Sequence, residues 1–157
     1  MTVTAGIDVY ADVADADAYF AARDVAAWPL ATVAAREAAL RRATAYLDGH
    51  YRWIGVLAAS SQPLGWPRLS AWDAEGRPLD GIPARVKDAC AELALVALTE
   101  ELAPPADRGG RVLAERVGPV SLRYTADAPS GRSFPYVDLV LKGLFREDGA
   151  GIAVRRA

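Results

Sequence analysis

"IPARVKDACAELALVALTE", Ile82 to Glu100, is the stretch that sets the fold class. Pro83 stands at the start of a helical pattern, where the missing proline N–H has no intrahelical partner to lose. From there Val86, Cys90, Leu93, Leu95, Val96 and Leu98 make an apolar set too broad for a single surface stripe. The spacing predicts a helix from Pro83 to about Leu102 that is buried on most sides. The rest of the chain must then be arranged around it. "APPADRGG" (103–110) ends the pattern.

Toward the N-terminus, Asp12 is placed to cap a first helix, with Asp15 and Asp17 near the positive end of its dipole. Val13, Ala16 and Phe20 share one face, and the helix is expected to end near Arg23 or Asp24. "VAAWPLAT" (25–32) reads as a turn broken by Pro29, with Thr32 as the next N-cap. A second helix is expected to run to about Asp48, with Ala39, Leu40, Ala43 and Leu47 on its apolar face and Gly49 as a left-handed cap. "SAWDAEGRPLDGIP" (70–83) is a turn-rich loop.

Toward the C-terminus the period changes. Val120, Leu122 and Tyr124 alternate with Ser121 and Arg123, which predicts a half-buried strand, and residues 112–117 are placed to pair with it across Gly118-Pro119. "ADAPSGRS" (126–133) is a flexible loop. "PYVDLVLKGLF" (135–145) predicts a last helix with Val137, Leu141, Leu144 and Phe145 on one face. The expected fold is mainly α, a small bundle of about four helices with one β-hairpin between the third and fourth. Residues 1–157 are expected to form one domain, with 147–157 as a flexible or partner-docking tail.

Composition narrows the function. With 157 residues, 52% hydrophobic and 24% charged, the chain can bury a core without staples. Its formal net charge of −2 gives no global attraction to nucleic acid, so such binding would need a local patch. Cys90 is the single cysteine and falls inside the apolar helix, so neither a disulfide framework nor a thiolate zinc site is expected. No basic segment followed by an apolar one opens the chain, and no apolar run suits a membrane span; the expected setting is a cytoplasm, or something assembled there.

Enzyme signatures are scarce. His50 is the only histidine, which leaves serine or cysteine nucleophiles without the usual base. Neither a Walker A motif nor a Gly-x-Gly-x-x-Gly turn is present. Asp12, Asp15 and Asp17 have a metal-loop spacing but lack its glycine and final glutamate, and helix-start electrostatics accounts for them. No catalytic residue, cofactor or metal is expected.

One stretch resists a regular period: "YLDGHYRWIGVLAASSQPLGWPR", Tyr46 to Arg68. It carries His50, Tyr51, Arg52, Trp53, Gln62, Trp66, Pro67 and Arg68. Three readings compete: a surface on which bases stack, a catalytic pocket, or a packed loop that bears subunit contacts. Stacking on Tyr51, Trp53 or Trp66 with Arg52 and Arg68 on phosphates is physically sound. Against it, the acidic chain lacks an electrostatic funnel. In the packing reading, Trp53 and Trp66 fill the core and Arg68 caps carbonyls or pairs with an acid.

The Leu-Asp-Gly-x-Tyr-x-Trp-x-Gly run (47–55), Gln-x-Leu-x-Trp-Pro-Arg (62–68), Ile-Pro-x-x-Val-Lys-x-Ala (82–89) and Val-Gly-Pro-Val-Ser-x-x-Tyr (117–124) together resemble a family of small tailed-phage and prophage proteins. The resemblance covers roughly residues 8 to 146. Members look like head–tail connector (adaptor) proteins, and some carry the label DnaT-like single-stranded-DNA-binding protein. The resemblance implies a non-enzymatic virion protein of the neck. It would form a ring with copies of itself, twelvefold by the resemblance, between the portal protein and neck or tail-completion proteins. DNA would pass through its channel without sequence readout. Within that reading, Tyr51, Trp53, Gln62, Trp66, Pro67 and Arg68 are expected to form a structural and assembly loop, and Val117, Gly118, Pro119, Val120 and Tyr124 a partner-contact hairpin. The alternative is a single-stranded-DNA-binding accessory protein. A continuous Arg-lined groove beside exposed Trp53 and Trp66 would favour the alternative.

Overall fold

The computed structural model describes residues 2–104, 114–117, 120–123 and 133–146. Among them are five helical segments, α1 (Val13–Ala21), α2 (Ala27–Leu30), α3 (Val33–His50), α4 (Ala84–Ala97) and α5 (Pro135–Leu141). Two small antiparallel pairs join them: β1 (Val56–Leu57) with β2 (Arg68–Leu69), and β3 (Ala114–Val117) with β4 (Val120–Arg123). The fold is mainly α, as the sequence predicts, and the β3–β4 hairpin falls between α4 and α5.

α4 is the central element, packed against α1, α3 and α5. Val86, Ala89, Cys90, Leu93, Ala94 and Ala97 are buried along it. Its small residues let α3 come close, so that Cys90 Sγ lies 3.5 Å from Thr44 Oγ1. Burial pushes the Cys90 thiol up to about 11, which fits its place as a small core residue. On α3, Ala39, Leu40, Ala43 and Leu47 face the same seam without exposure. Each buried leucine there contributes about 1.5–3 kcal/mol relative to an exposed one.

The helix starts follow the sequence closely. Asp12 accepts from the Asp15 N–H at 2.8 Å and Asp15 reaches back to the Asp12 N–H at 3.4 Å, a reciprocal capping box. Thr32 caps α3 by accepting from the Ala35 N–H. Asp15 also pairs with Lys87, and Asp17 with Arg36 and the Trp28 indole, so the three aspartates are spent on capping and cross-helix contacts. Among the described residues no group of three histidine, cysteine or acidic side chains is arranged to hold a metal ion. No described helix is long and apolar enough to cross a membrane.

The ends differ more. α1 stops at Ala21, because the chain turns at Asp24 (φ 54°) to put Trp28 of the single-turn α2 onto Phe20, with ring centres 5.0 Å apart. α4 ends at Ala97, short of Leu102, although Leu102 is still buried. Gly49 is not a left-handed cap: α3 runs through it to His50, and the extended Tyr51 closes the helix. α5 ends at Leu141, so Leu144 and Phe145 are not on its face. After Gly143 (φ 83°) the chain runs antiparallel to 52–54: the Ile54 N–H donates to the Leu144 carbonyl, and the Arg146 N–H to the Arg52 carbonyl. Residues 118, 119 and 124, and the tail 147–157, lie outside the described residues.

Candidate functional site

The aromatic and basic stretch folds into two regions with different characters. The first is a closed loop hung on α3. Asp48, in the last turn of that helix, accepts from the Trp53 indole at 2.9 Å, from the Gly65 N–H at 3.0 Å, and from the Tyr10 hydroxyl. A carboxylate at the negative end of a helix dipole is unfavourable unless donors surround it, and here three do. Gly65 is required at that approach: a Cβ there would overlap the Asp48 carboxylate and lie 2.7 Å from the Trp53 ring.

The remaining loop residues satisfy its backbone. Gln62 accepts from the Ala59 N–H and donates to the Leu64 and Pro67 carbonyls, at 2.9, 2.7 and 3.0 Å. Arg68 donates to the carbonyls of Ile54 (2.6 Å), Gly65 (2.9 Å) and Gly55 (3.1 Å). Partial burial, more than any other cause, lowers its pKa. Trp66 is fully buried and packs edge-on to Trp53, itself 6% exposed. The loop therefore presents neither indole to solvent. Base stacking on Trp53 and Trp66 with Arg68 on a phosphate is excluded by this geometry, because ring faces and guanidinium are already used. Packed indoles and an Arg68 that caps carbonyls match the packing reading.

The second region is a cleft of about 440 Å³ lined by His50, Tyr51, Arg52, Asp138, Phe145 and Arg146. Three elements build it: the end of α3 with the residue that closes it, the first turn of α5, and the return segment 144–146. The pairing of 144–146 with 52–54 brings Arg52 and Arg146 to the same rim, and both are exposed. Aromatic rings form the wall. Phe145 lies 4.9 Å from Tyr51, Tyr51 stacks on Trp53 at 5.7 Å, and His50 stacks on Tyr46 at 5.0 Å. The Tyr51 hydroxyl donates to Asp138 Oδ1 at 2.6 Å. Burial and then that carboxylate push the Tyr51 pKa up, so the phenol stays a donor. Arg146 is near enough to Arg68 to oppose its charge. Another hollow, about 360 Å³ between α1, α2 and α3, has Arg36 already paired with Asp17 at 2.7 Å.

Of the residues singled out in the sequence, His50, Tyr51 and Arg52 line the cleft while Trp53, Gln62, Trp66, Pro67 and Arg68 belong to the closed loop. Val117 and Val120 are paired at the end of the β3–β4 hairpin; Gly118, Pro119 and Tyr124 fall outside the described residues. Sequence reasoning missed Asp48, Tyr10 and Gly65 in the loop, and Asp138, Phe145 and Arg146 in the cleft. An acid in the last turn of a predicted helix was a legible sign of Asp48. The run 50–52 marked one side of the cleft; nothing local marked the other side, which comes from 138 and 145–146.

Fold and cleft together define a small, mainly helical protein with a modest basic and aromatic surface. The chain matches, over residues 2–157, the family described as "Putative DnaT-like ssDNA binding protein", and it belongs to that family. The description names single-stranded DNA and says nothing of a phage neck. No curated protein and no solved structure matches the chain.

Proposed function

We propose that this protein binds single-stranded DNA, without catalysis, in the cleft between the end of α3, α5 and the return segment. The observation that carries the reading is the pairing of the half-buried Phe145 and exposed His50 rings with two exposed arginines on one rim, Tyr51 being itself buried. That is the combination single-strand binders use: rings take up bases, at about 1–3 kcal/mol per stacked base, and cations track the backbone. The family description points the same way. A formal net charge of −2 means that no long-range field gathers the strand, so binding rests on local contacts.

The test is fluorescence anisotropy with a short labelled single strand across a salt series. Wild type is expected to bind at low salt with an affinity that falls as salt rises. The Arg52→Glu/Arg146→Glu double variant is expected to bind at least roughly tenfold more weakly, its salt slope shallower by about 0.7 for each phosphate it no longer neutralises. Absence of binding at low salt, or an unaffected double variant, would overturn the assignment.

A second reading, a head–tail connector ring between a portal and neck or tail-completion proteins in a virion, has its own support. Val56 and Leu69 form a cross-strand pair on the β1–β2 ribbon and are each 56% exposed, and Trp72 nearby in sequence is 54% exposed. Exposed apolar side chains beside a hydrogen-bonded loop suit a subunit contact. Sedimentation at rising protein concentration, repeated with Val56→Lys/Leu69→Lys, tests it. A concentration-dependent oligomer that disappears in the variant would favour the ring, and a monomer throughout would leave self-assembly without support.

A further inference from the structure

We infer that Asp138 makes the cleft selective for bases that carry an exocyclic amino group, so that cytosine is held better than uracil or thymine. The inference rests on the reading of the cleft as the single-strand site. Asp138 lines the cleft from the first turn of α5 and is the acidic member of its wall. Its Oδ1 is fixed by the Tyr51 hydroxyl at 2.6 Å, which holds the carboxylate in one orientation instead of leaving it to rotate in solvent.

The chemistry follows from what a carboxylate can do. Ionised, it only accepts hydrogen bonds, and its two oxygens have room for partners beyond the Tyr51 hydroxyl. Cytosine offers its N4 amino group, adenine N6, and guanine the adjacent N1–H and N2 amino group. Uracil and thymine offer one N3–H between two carbonyl oxygens, and those oxygens would face the carboxylate's negative charge. Phosphates are repelled by the same charge and attracted by Arg52 and Arg146. The strand is thus oriented with its backbone toward the arginine rim and its base edge toward α5. Tyr51 supports this, because a phenol that keeps its proton keeps the carboxylate in place.

The experiment compares labelled oligo-dC with oligo-dU of equal length, by anisotropy at one moderate salt concentration. The two differ at the base edge and not at a methyl group, and both stack weakly, so a difference reports hydrogen bonding more than strand stiffness. Wild type is expected to prefer oligo-dC by roughly tenfold, the size of a single polar interaction with a base edge. In Asp138→Asn the amide oxygen can still accept from Tyr51 while its NH2 can donate to a base carbonyl, so the ratio is expected to fall toward one. The comparison of the two ligands on wild type is informative even if that variant does not fold. Equal wild-type affinities, with both ligands weakened by Arg52→Glu/Arg146→Glu, would overturn the selectivity and leave the site. A preference that persists in folded Asp138→Asn would also overturn the role of Asp138. Failure of wild type to bind either ligand would remove the site itself.

Discussion

Arg68 and Arg52 come from the same aromatic and basic stretch and end in opposite roles. Around Arg68 the chain offers three carbonyls that no helix or sheet has used, and the guanidinium fork takes all of them. Around Arg52 the backbone is already paired: its carbonyl receives the Arg146 N–H, and its side chain stays exposed at the cleft rim. The rings divide in the same way. Trp66, Trp53 and Tyr51 are buried, whereas Phe145 and His50 are open to a surface hollow. An aromatic and basic composition therefore does not by itself indicate a stacking surface. What decides is whether the fold buries each side chain among backbone groups that need a partner or leaves it at the surface.

If the loop is scaffold and the cleft is site, stability and DNA affinity must separate between them. The largest effect is expected for Trp66→Ala, which empties a fully buried indole volume and costs about 3–5 kcal/mol. A large drop in melting temperature is the readout. A variant that melts like wild type would break the comparison. Next comes Asp48→Asn. It removes the charge from an acceptor shared by the Trp53 indole, the Gly65 N–H and the Tyr10 hydroxyl, and places an NH2 among donors. The expected loss is about 2–3 kcal/mol by denaturant unfolding. Single-strand affinity of the folded fraction should be unchanged, because Asp48 does not line the cleft.

Much of the scaffold was legible. The broad apolar set of Val86, Cys90 and Leu93 gave the central helix, and Asp12 and Thr32 gave two helix starts, because both signals are local. Helix ends were less legible. Gly49 resembles a left-handed cap in sequence, but Asp48 and Tyr51 are each anchored by partners from elsewhere, which carries the helix through the glycine. The β1–β2 ribbon was missed because strands of two residues have no period to read. The far side of the cleft was illegible for a similar reason. Arg146 joins Arg52 only because the chain leaves α5 at Leu141 and runs back along 52–54, a long-range pairing that no local pattern encodes.

Alkaline pH should act on both regions together. Burial, followed by a carboxylate partner, raises the pKa of Tyr10 in the loop and of Tyr51 in the cleft. The unfolded chain releases these protons near the ordinary tyrosine value of about 10, while the folded protein retains them. Below that pH the two states bind equal numbers of tyrosine protons and stability is flat in this respect. Above it the unfolded state binds fewer, so stability falls as pH rises, by up to about 1.4 kcal/mol per pH unit for each tyrosine and less for a partly exposed one. Urea midpoints measured on either side of pH 10 check this. A Tyr51→Phe variant should lose stability less steeply than wild type. An identical slope would mean that Tyr51 is not held as its hydrogen bond to Asp138 implies.

The smallest effect gives the sharpest contrast, because one substitution is made at both ends of the stretch. Arg68→Lys keeps the charge but loses the planar fork, and one ammonium cannot reach the Ile54, Gly65 and Gly55 carbonyls in the arrangement the guanidinium holds. The expected cost is about 1 kcal/mol of stability with no change in DNA affinity. Arg52→Lys keeps a cation at the exposed rim of the cleft, where a phosphate needs charge more than geometry. It should alter stability little and the salt slope not at all. If Arg68→Lys weakened DNA binding while Arg52→Lys destabilised the fold, the roles assigned to the two arginines would be reversed, and the strand would have to run over the loop instead of the cleft.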